Sequence, residues 1–317
     1  MAEIQFPETV TLEAQNLRVA YGDYVALQVP QLSTSGRVIA IIGHNGSGKS
    51  TMIKSILELL VPRTGEIVSY WQFSDSRLRL RPEEHMAFSP ENGAVFGDLT
   101  VETYIKLWCR VKCANGNYYR QEGSDFIEAF NLSPLLRKLG RELSKGQRRR
   151  VQIAVGFLTN PRLFLLDEPF DGLDIKQSNV LANTLMEQAA GRAMILASHR
   201  MDLIERLADT IIVLKDGKVA AAGDIGEVCN HLCRQSVLIT TYDEASPRIT
   251  NLLQTLREQF VSCVVNQIGG QLSISGNDVD LTSLQMFLYD NQLTRVKIES
   301  VRASLIDAMN YHLNKLQ

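Results

Sequence analysis

"GRVIAIIGHNGSGKST", Gly36 to Thr51, is the stretch whose reading decides the fold. Its first half is apolar without alternation, as a strand buried on both faces is. A glycine-rich turn follows, and then "KSTMIKSILELL", apolar at helical spacing and stopped at Val61-Pro62. Strand, turn and helix together fit G-x-x-x-x-G-K-[S/T] at every required position. Glycines permit backbone shapes that let successive N–H groups converge on phosphate oxygens, and the helix start adds the positive end of its dipole. Gly43, His44, Asn45, Gly46, Ser47, Gly48, Lys49, Ser50 and Thr51 are therefore the candidate triphosphate-binding set. Lys49 is expected to reach the β- and γ-phosphates and Ser50 to ligate Mg²⁺.

Further along, the apolar run "LFLL" ends in Asp167-Glu168. A strand's carboxyl edge is where ligands bind in open α/β sheets. Asp167 is placed to hold Mg²⁺, and Glu168 to polarise the attacking water as a general base. Buried strands return at "AMILAS" and "TIIVLKDG" with helical stretches between them, which predicts a parallel sheet covered by helices. The alternating opening "TVTLEAQNLRVAYGDYVALQVPQL" predicts an antiparallel hairpin.

A phosphate loop alone leaves kinases, GTPases and helicases open. "LSKGQRRR", Leu143 to Arg150, narrows the choice. Ser144 and Gly146 open a helix and can present a hydroxyl and backbone N–H groups to phosphate. The loop lies on a separate helical stretch and is not needed to finish the cradle around Lys49. At these residues the chain resembles the ATP-binding subunit of an ABC transporter, whose signature loop, usually LSGGQ, grips the γ-phosphate held by an opposing subunit. The resemblance covers about residues 10–230 and implies ATP with Mg²⁺, a head-to-tail homodimer and transmembrane permease partners. It also implies a cytoplasmic location, peripheral at the membrane's cytoplasmic face.

Residue by residue, the resemblance assigns Ser144, Gly146 and Gln147 to the signature loop, with Lys145 standing where the family has a glycine. Tyr21 matches the aromatic that stacks on adenine. Asp174 in "DGLD" matches the acid linking the two sites, and His199 in "ASHRMDLIE" matches the histidine that contacts the γ-phosphate. Glu91 in "SPENGAVF" stands where the family usually carries Gln, and is expected to approach Mg²⁺ or water. The closest likeness is to exporter subunits with a C-terminal extension. Two other readings stay open: an ABC ATPase not tied to transport, and a binding module that has lost turnover.

Composition agrees with an ordinary globular chain. Of 317 residues, 45% are hydrophobic and 21% charged, and the net charge of −2 argues against nucleic acid as a partner. No apolar run approaches the roughly 18 residues of a membrane span, and "MAEIQFPETV" offers no secretory signal. The expected organisation is α/β. It comprises an ABC-type P-loop ATPase domain over 1–235 with a mixed sheet and an inserted helical lobe at about 92–158. A small α+β module over 236–317 follows. Its order β-α-β-β-α-β predicts a ferredoxin-like fold.

Overall fold

A computed structural model describes residues 9–113, 116–121, 123–189, 191–241, 246–268, 271–277, 279–291 and 296–314. The chain divides between Gly223 and Asp224 into two compact units.

The first unit opens with the expected hairpin, β1 (Thr9–Tyr21) and β2 (Tyr24–Gly36), then β3 (Val38–Ile42) and α1 (Lys49–Ile56). β4 (Thr64–Gln72), β5 (Arg77–Arg79), α2 (Pro82–His85) and β6 (Met86–Ser89) follow. The helical lobe comes next with α3 (Val101–Cys113), α4 (Ser124–Ala129) and α5 (Lys145–Leu158). β7 (Leu163–Asp167), α6 (Ile175–Gln188), β8 (Ala193–Ala197), α7 (Met201–Leu207), β9 (Thr210–Lys215) and β10 (Lys218–Asp224) complete it.

Two sheets share this unit: β2-β1-β4-β5, antiparallel, and β10-β9-β3-β8-β7-β6, in which β9, β3, β8, β7 and β6 run parallel. β3, β7 and β8 are buried at every residue, which explains why they carry no polar alternation. One core joins Leu12, Leu27, Trp71, Ile39, Ile41 and Met52, so α1 is clasped between the sheets. That clasp fixes where the phosphate loop ends. No helix among the described residues is long and apolar enough to cross a membrane.

The lobe is anchored through aromatic packing. Phe157 of α5 stacks on Phe126, with centroids 5.9 Å apart, and meets Phe164 of β7 edge-on at 4.8 Å. Gly156 makes this approach possible, because a Cβ there would lie 2.2 Å from the Phe164 ring. Glu102 of α3 accepts hydrogen bonds from Tyr119 and Arg120 and pairs with Lys106 at 3.1 Å.

The second unit begins with α8 (Ile225–Leu232), earlier than the boundary expected after residue 235. The reason is packing: α8 buries Val228, Cys229 and Leu232 and lies against α11 (Leu305–Asn314). Between them come β11 (Gln235–Thr241), α9 (Ser246–Gln259), β12 (Val264–Ile268), β13 (Gln271–Gly276), α10 (Leu281–Asp290) and β14 (Val296–Val301). The sheet order β12-β13-β11-β14, antiparallel throughout, is that of a ferredoxin-like split βαβ unit. One set of alternate residues (Val237, Ile239, Leu272, Ile274) packs with Leu256 and Leu284. The other set includes Ser236, Ser273 and Ser275, buried beside Asp307 of α11.

The lobe's carboxylate yields a pH test. Hydrogen bonding from Tyr119, then from Lys106, lowers the Glu102 pKa from 4.5 to about 2. A depressed folded pKa stabilises above the unfolded value and is lost as pH falls towards the folded one. Glu102→Gln should therefore lower the melting temperature slightly at pH 7, and the gap should close as pH drops below 4.5 towards about 2. Paired thermal melts across that range check this.

Candidate active site

The turn between β3 and α1 is built from glycine conformations. Gly48 has φ +103°, and a Cβ on it would lie 2.9 Å from the Ala26 carbonyl oxygen. A Cβ on Gly43 would lie 2.3 Å from the Leu214 carbonyl oxygen on β9. The loop is thus threaded between the hairpin and the parallel sheet with no room for side chains at those points.

Lys49 begins α1 and is buried, with 6% of its surface exposed. Its Nζ donates to the Gly43 carbonyl at 2.9 Å and the His44 carbonyl at 3.2 Å, and lies 3.6 Å from Glu168 Oε1. A buried ammonium needs such oxygens. A triphosphate in the loop offers the same chemistry.

Asp167 ends β7 and Glu168 follows at the sheet's carboxyl edge. Burial pushes the Asp167 carboxyl above its ordinary range, while a hydrogen bond from Ser50 pulls it back. Its Oδ1 is buried with no hydrogen-bond partner. An unpartnered carboxylate oxygen beside a serine hydroxyl fits a hard divalent cation, so Ser50 and Asp167 would hold Mg²⁺.

Glu168 adopts φ +45°, in the left-handed region. For a residue with a Cβ this costs about 1–2 kcal/mol. The fold fixes it from both sides: its N–H donates to Ala197 at 2.8 Å, and its carbonyl accepts from the Arg149 guanidinium. The side chain is buried between Lys49 and His199, whose Nδ1 lies 2.9 Å from Oε2. Its carboxylate thus faces a cation on one side and an imidazole on the other.

A cavity of about 430 Å³ is lined by Tyr21, Asn45, Gly46, Gly48, Lys49, Ser50, Thr51, Glu91, Glu168 and His199 among others, with Asp167 behind Ser50 rather than in its wall. Tyr24 and Asp171 line it too and were missed in the sequence. The hairpin register pairs Tyr24 with Tyr21, so a two-residue turn placing two tyrosines opposite each other was the available signal. Gly43, His44 and Ser47 shape the loop without lining the cavity. His44 turns towards Asp216, 3.6 Å away, and Ser47 is fully buried.

The signature residues are elsewhere. Ser144 caps α5: its Oγ accepts from the Gln147 N–H at 3.2 Å, and Gln147 Oε1 accepts from the Ser144 N–H at 3.1 Å. A Cβ on Gly146 would lie 2.1 Å from Gln177 Oε1. Gln177 is also the residue whose N–H Asp174 caps, at 2.7 Å. Lys145 pairs with Asp171 at 2.9 Å, and that hydrogen bond holds the Asp171 carboxyl below its usual range. Ser144, Gly146, Gln147 and Asp174 therefore form a second cluster that does not line the cavity around Lys49.

A phosphate loop at the end of a buried parallel strand, with Asp167 and Glu168 at the same carboxyl edge across the intervening β8, defines a P-loop nucleoside-triphosphatase. The comparisons narrow the class. The ABC transporter family model matches residues 31–171. The nickel import ATP-binding protein NikO of Rhodobacter capsulatus is 30% identical over 75% of this chain and 100% of its own length. ATP-binding cassette sub-family A member 9 of Mus musculus is 30% identical over 59% of this chain, which spans only 12% of that protein. A solved ATP-binding subunit of an ABC transporter shares 28% identity with a TM-score of 0.59, covering 70% of this chain and 92% of its own. The chain belongs to the ABC transporter family, as a cassette of the kind that binds ATP with Mg²⁺ and hydrolyses it. Relatives named for import, such as NikO and the sulfate/thiosulfate protein CysA 1 of Agrobacterium fabrum, do not single out the exporter likeness.

Asp167→Ala should remove the advantage that Mg²⁺ gives to nucleotide binding. Titration with a fluorescent ATP analogue, with and without Mg²⁺, should show a loss of at least about tenfold, the smallest cost usual even for an outer-shell metal partner. Binding in EDTA should change little.

Proposed function

We propose that this chain is the ATP-hydrolysing subunit of an exporter, that it works as a pair of copies, and that it docks on transmembrane permease subunits at the membrane's cytoplasmic face. One observation carries the catalytic part: Glu168, buried and pinned in a left-handed conformation, sits between Lys49 and His199 beside the Asp167 edge. Lys49 Nζ lies 3.6 Å from this carboxylate. A γ-phosphate competing for Lys49 frees Glu168 Oε1 to accept a proton from the attacking water, while His199 holds Oε2. Ser50 and Asp167 would hold Mg²⁺, which when bound would supply positive charge to the phosphates.

Pairing is supported by the position of the Ser144 and Gly146 cluster, outside the cavity that holds Lys49. A second copy turned head to tail brings that cluster over the γ-phosphate, with Asp174 joining the two sites. Because ATP favours the closed pair and ADP does not, turnover opens it. Docking is supported by a cleft of about 550 Å³, lined by Phe88, Pro90, Gly93, Tyr104 and Trp108, beside Glu91. It offers a membrane partner apolar surface next to a residue that lines the catalytic cavity. The outward direction is read from Glu91 in place of Gln and from the ferredoxin-like unit after the cassette.

Glu168→Gln should lower ATP turnover by about 10²–10⁴-fold, the usual worth of a positioned base. In saturating ATP and Mg²⁺ it should elute as a dimer, and without nucleotide as a monomer. A strictly monomeric variant sinks the paired reading, and unchanged turnover sinks the base. Once the co-purifying membrane protein is reconstituted with the cassette facing outward, ATP should drive substrate into the vesicle lumen. Movement out of the lumen would mark an importer.

A further inference from the structure

Arg149 lies in the basic run after the signature loop, where a solvated side chain is the ordinary expectation. Instead it is 5% exposed. Its guanidinium meets five backbone carbonyls. Nε donates to Pro169 at 3.2 Å, Nη1 to Pro90 at 2.7 Å and Glu91 at 3.3 Å, and Nη2 to Asp167 at 2.8 Å and to Glu168. These carbonyls belong to two separate segments, the Glu91 loop and the stretch carrying the catalytic carboxylates. Arg149 itself stands on α5, whose N-cap is Ser144.

The left-handed Glu168 explains what this contact does. Its N–H is held by Ala197, so the remaining freedom at that residue lies in the peptide on its carbonyl side. Arg149 holds that carbonyl and both of its neighbours. A planar guanidinium with a fixed fork of donors holds several oxygens in one geometry, which an ammonium cannot do. Burial holds its pKa down, opposed by the nearby carboxylates of Asp167, Asp171, Glu91 and Glu168, and the charge stays within the site.

We propose that Arg149 is the positioning residue for Glu168, orienting the base according to where the Glu91 loop and the signature helix stand. The inference rests on Glu168 being the base. Displacing the Glu91 loop or α5 redistributes the guanidinium's hydrogen bonds and moves the Glu168 carbonyl. The carboxylate then leaves its place between Lys49 and His199. Arg149 does not touch substrate; it acts through the backbone of the residue that does.

The test compares Arg149→Met, Arg149→Lys, Glu168→Gln and the double variant R149M/E168Q in the full chain. Turnover is read by release of labelled phosphate and affinity by a fluorescent ATP analogue. Glu102→Gln, which loosens the same lobe away from the site, is the control. Arg149→Met should lower kcat by about 10²-fold, the cost of a small misplacement of a reacting group, with nucleotide affinity unchanged. Arg149→Lys should recover part of that loss, and the double variant should turn over no more slowly than Glu168→Gln alone. Glu102→Gln should keep wild-type kcat. Weakened affinity at unchanged kcat, multiplying losses in the double variant, or failure of both Arg149 variants to fold overturns the proposal. If Glu168→Gln alone leaves turnover intact, it is the base reading that has failed.

Discussion

Burying charge is tolerated only where each charge finds a partner, and in the first unit the described buried charges gather at one sheet edge. Lys49, Arg149, Asp167 and Glu168 are all below 9% exposed, two cations against two carboxylates. An isolated ion moved into the interior costs several kcal/mol. Here each is held by oxygens or donors that the fold has already fixed: loop carbonyls for Lys49, five backbone carbonyls for Arg149, Ser50 for Asp167, and His199 with Lys49 for Glu168. The glycines of the phosphate loop, the left-handed backbone at Glu168 and the burial of β3, β7 and β8 all serve to keep this quartet in register. A triphosphate entering the cavity would compete with these oxygens for Lys49.

What was legible in the sequence was what short-range pattern encodes. The phosphate loop, Asp167-Glu168 and His199 each follow an apolar strand directly, so their place on the sheet edge comes with the strand. Tyr21 was legible from its motif, but Tyr24 needed the hairpin register. Arg149 was hidden because its neighbours Arg148 and Arg150 give a run that looks solvated, and its partners at Pro90 and Pro169 are distant in sequence. The Lys145–Asp171 pair was hidden for the same reason. The start of the second unit was missed because α8 reads as the tail of the cassette, while its apolar face is used by α11. Local propensity places an element, and only the tertiary partner says which unit owns it.

The signature cluster shows how one chain prepares a surface without filling it. Ser144 and Gln147 cap each other reciprocally, so the loop's shape is set before any phosphate arrives. Gly146 sits against Gln177, which ties this loop to the helix capped by Asp174. The first N–H groups of a helix have no acceptor within it, and α5 starts at an exposed Ser144. An anion brought here meets donors whose ordering cost has already been met within the chain, which is how preorganisation strengthens binding. Lys145 pairs with Asp171 at 2.9 Å, so its charge is met by a carboxylate of the catalytic segment. A loop in which glycine stood at this position would lack that tether between the start of α5 and the segment that follows Glu168.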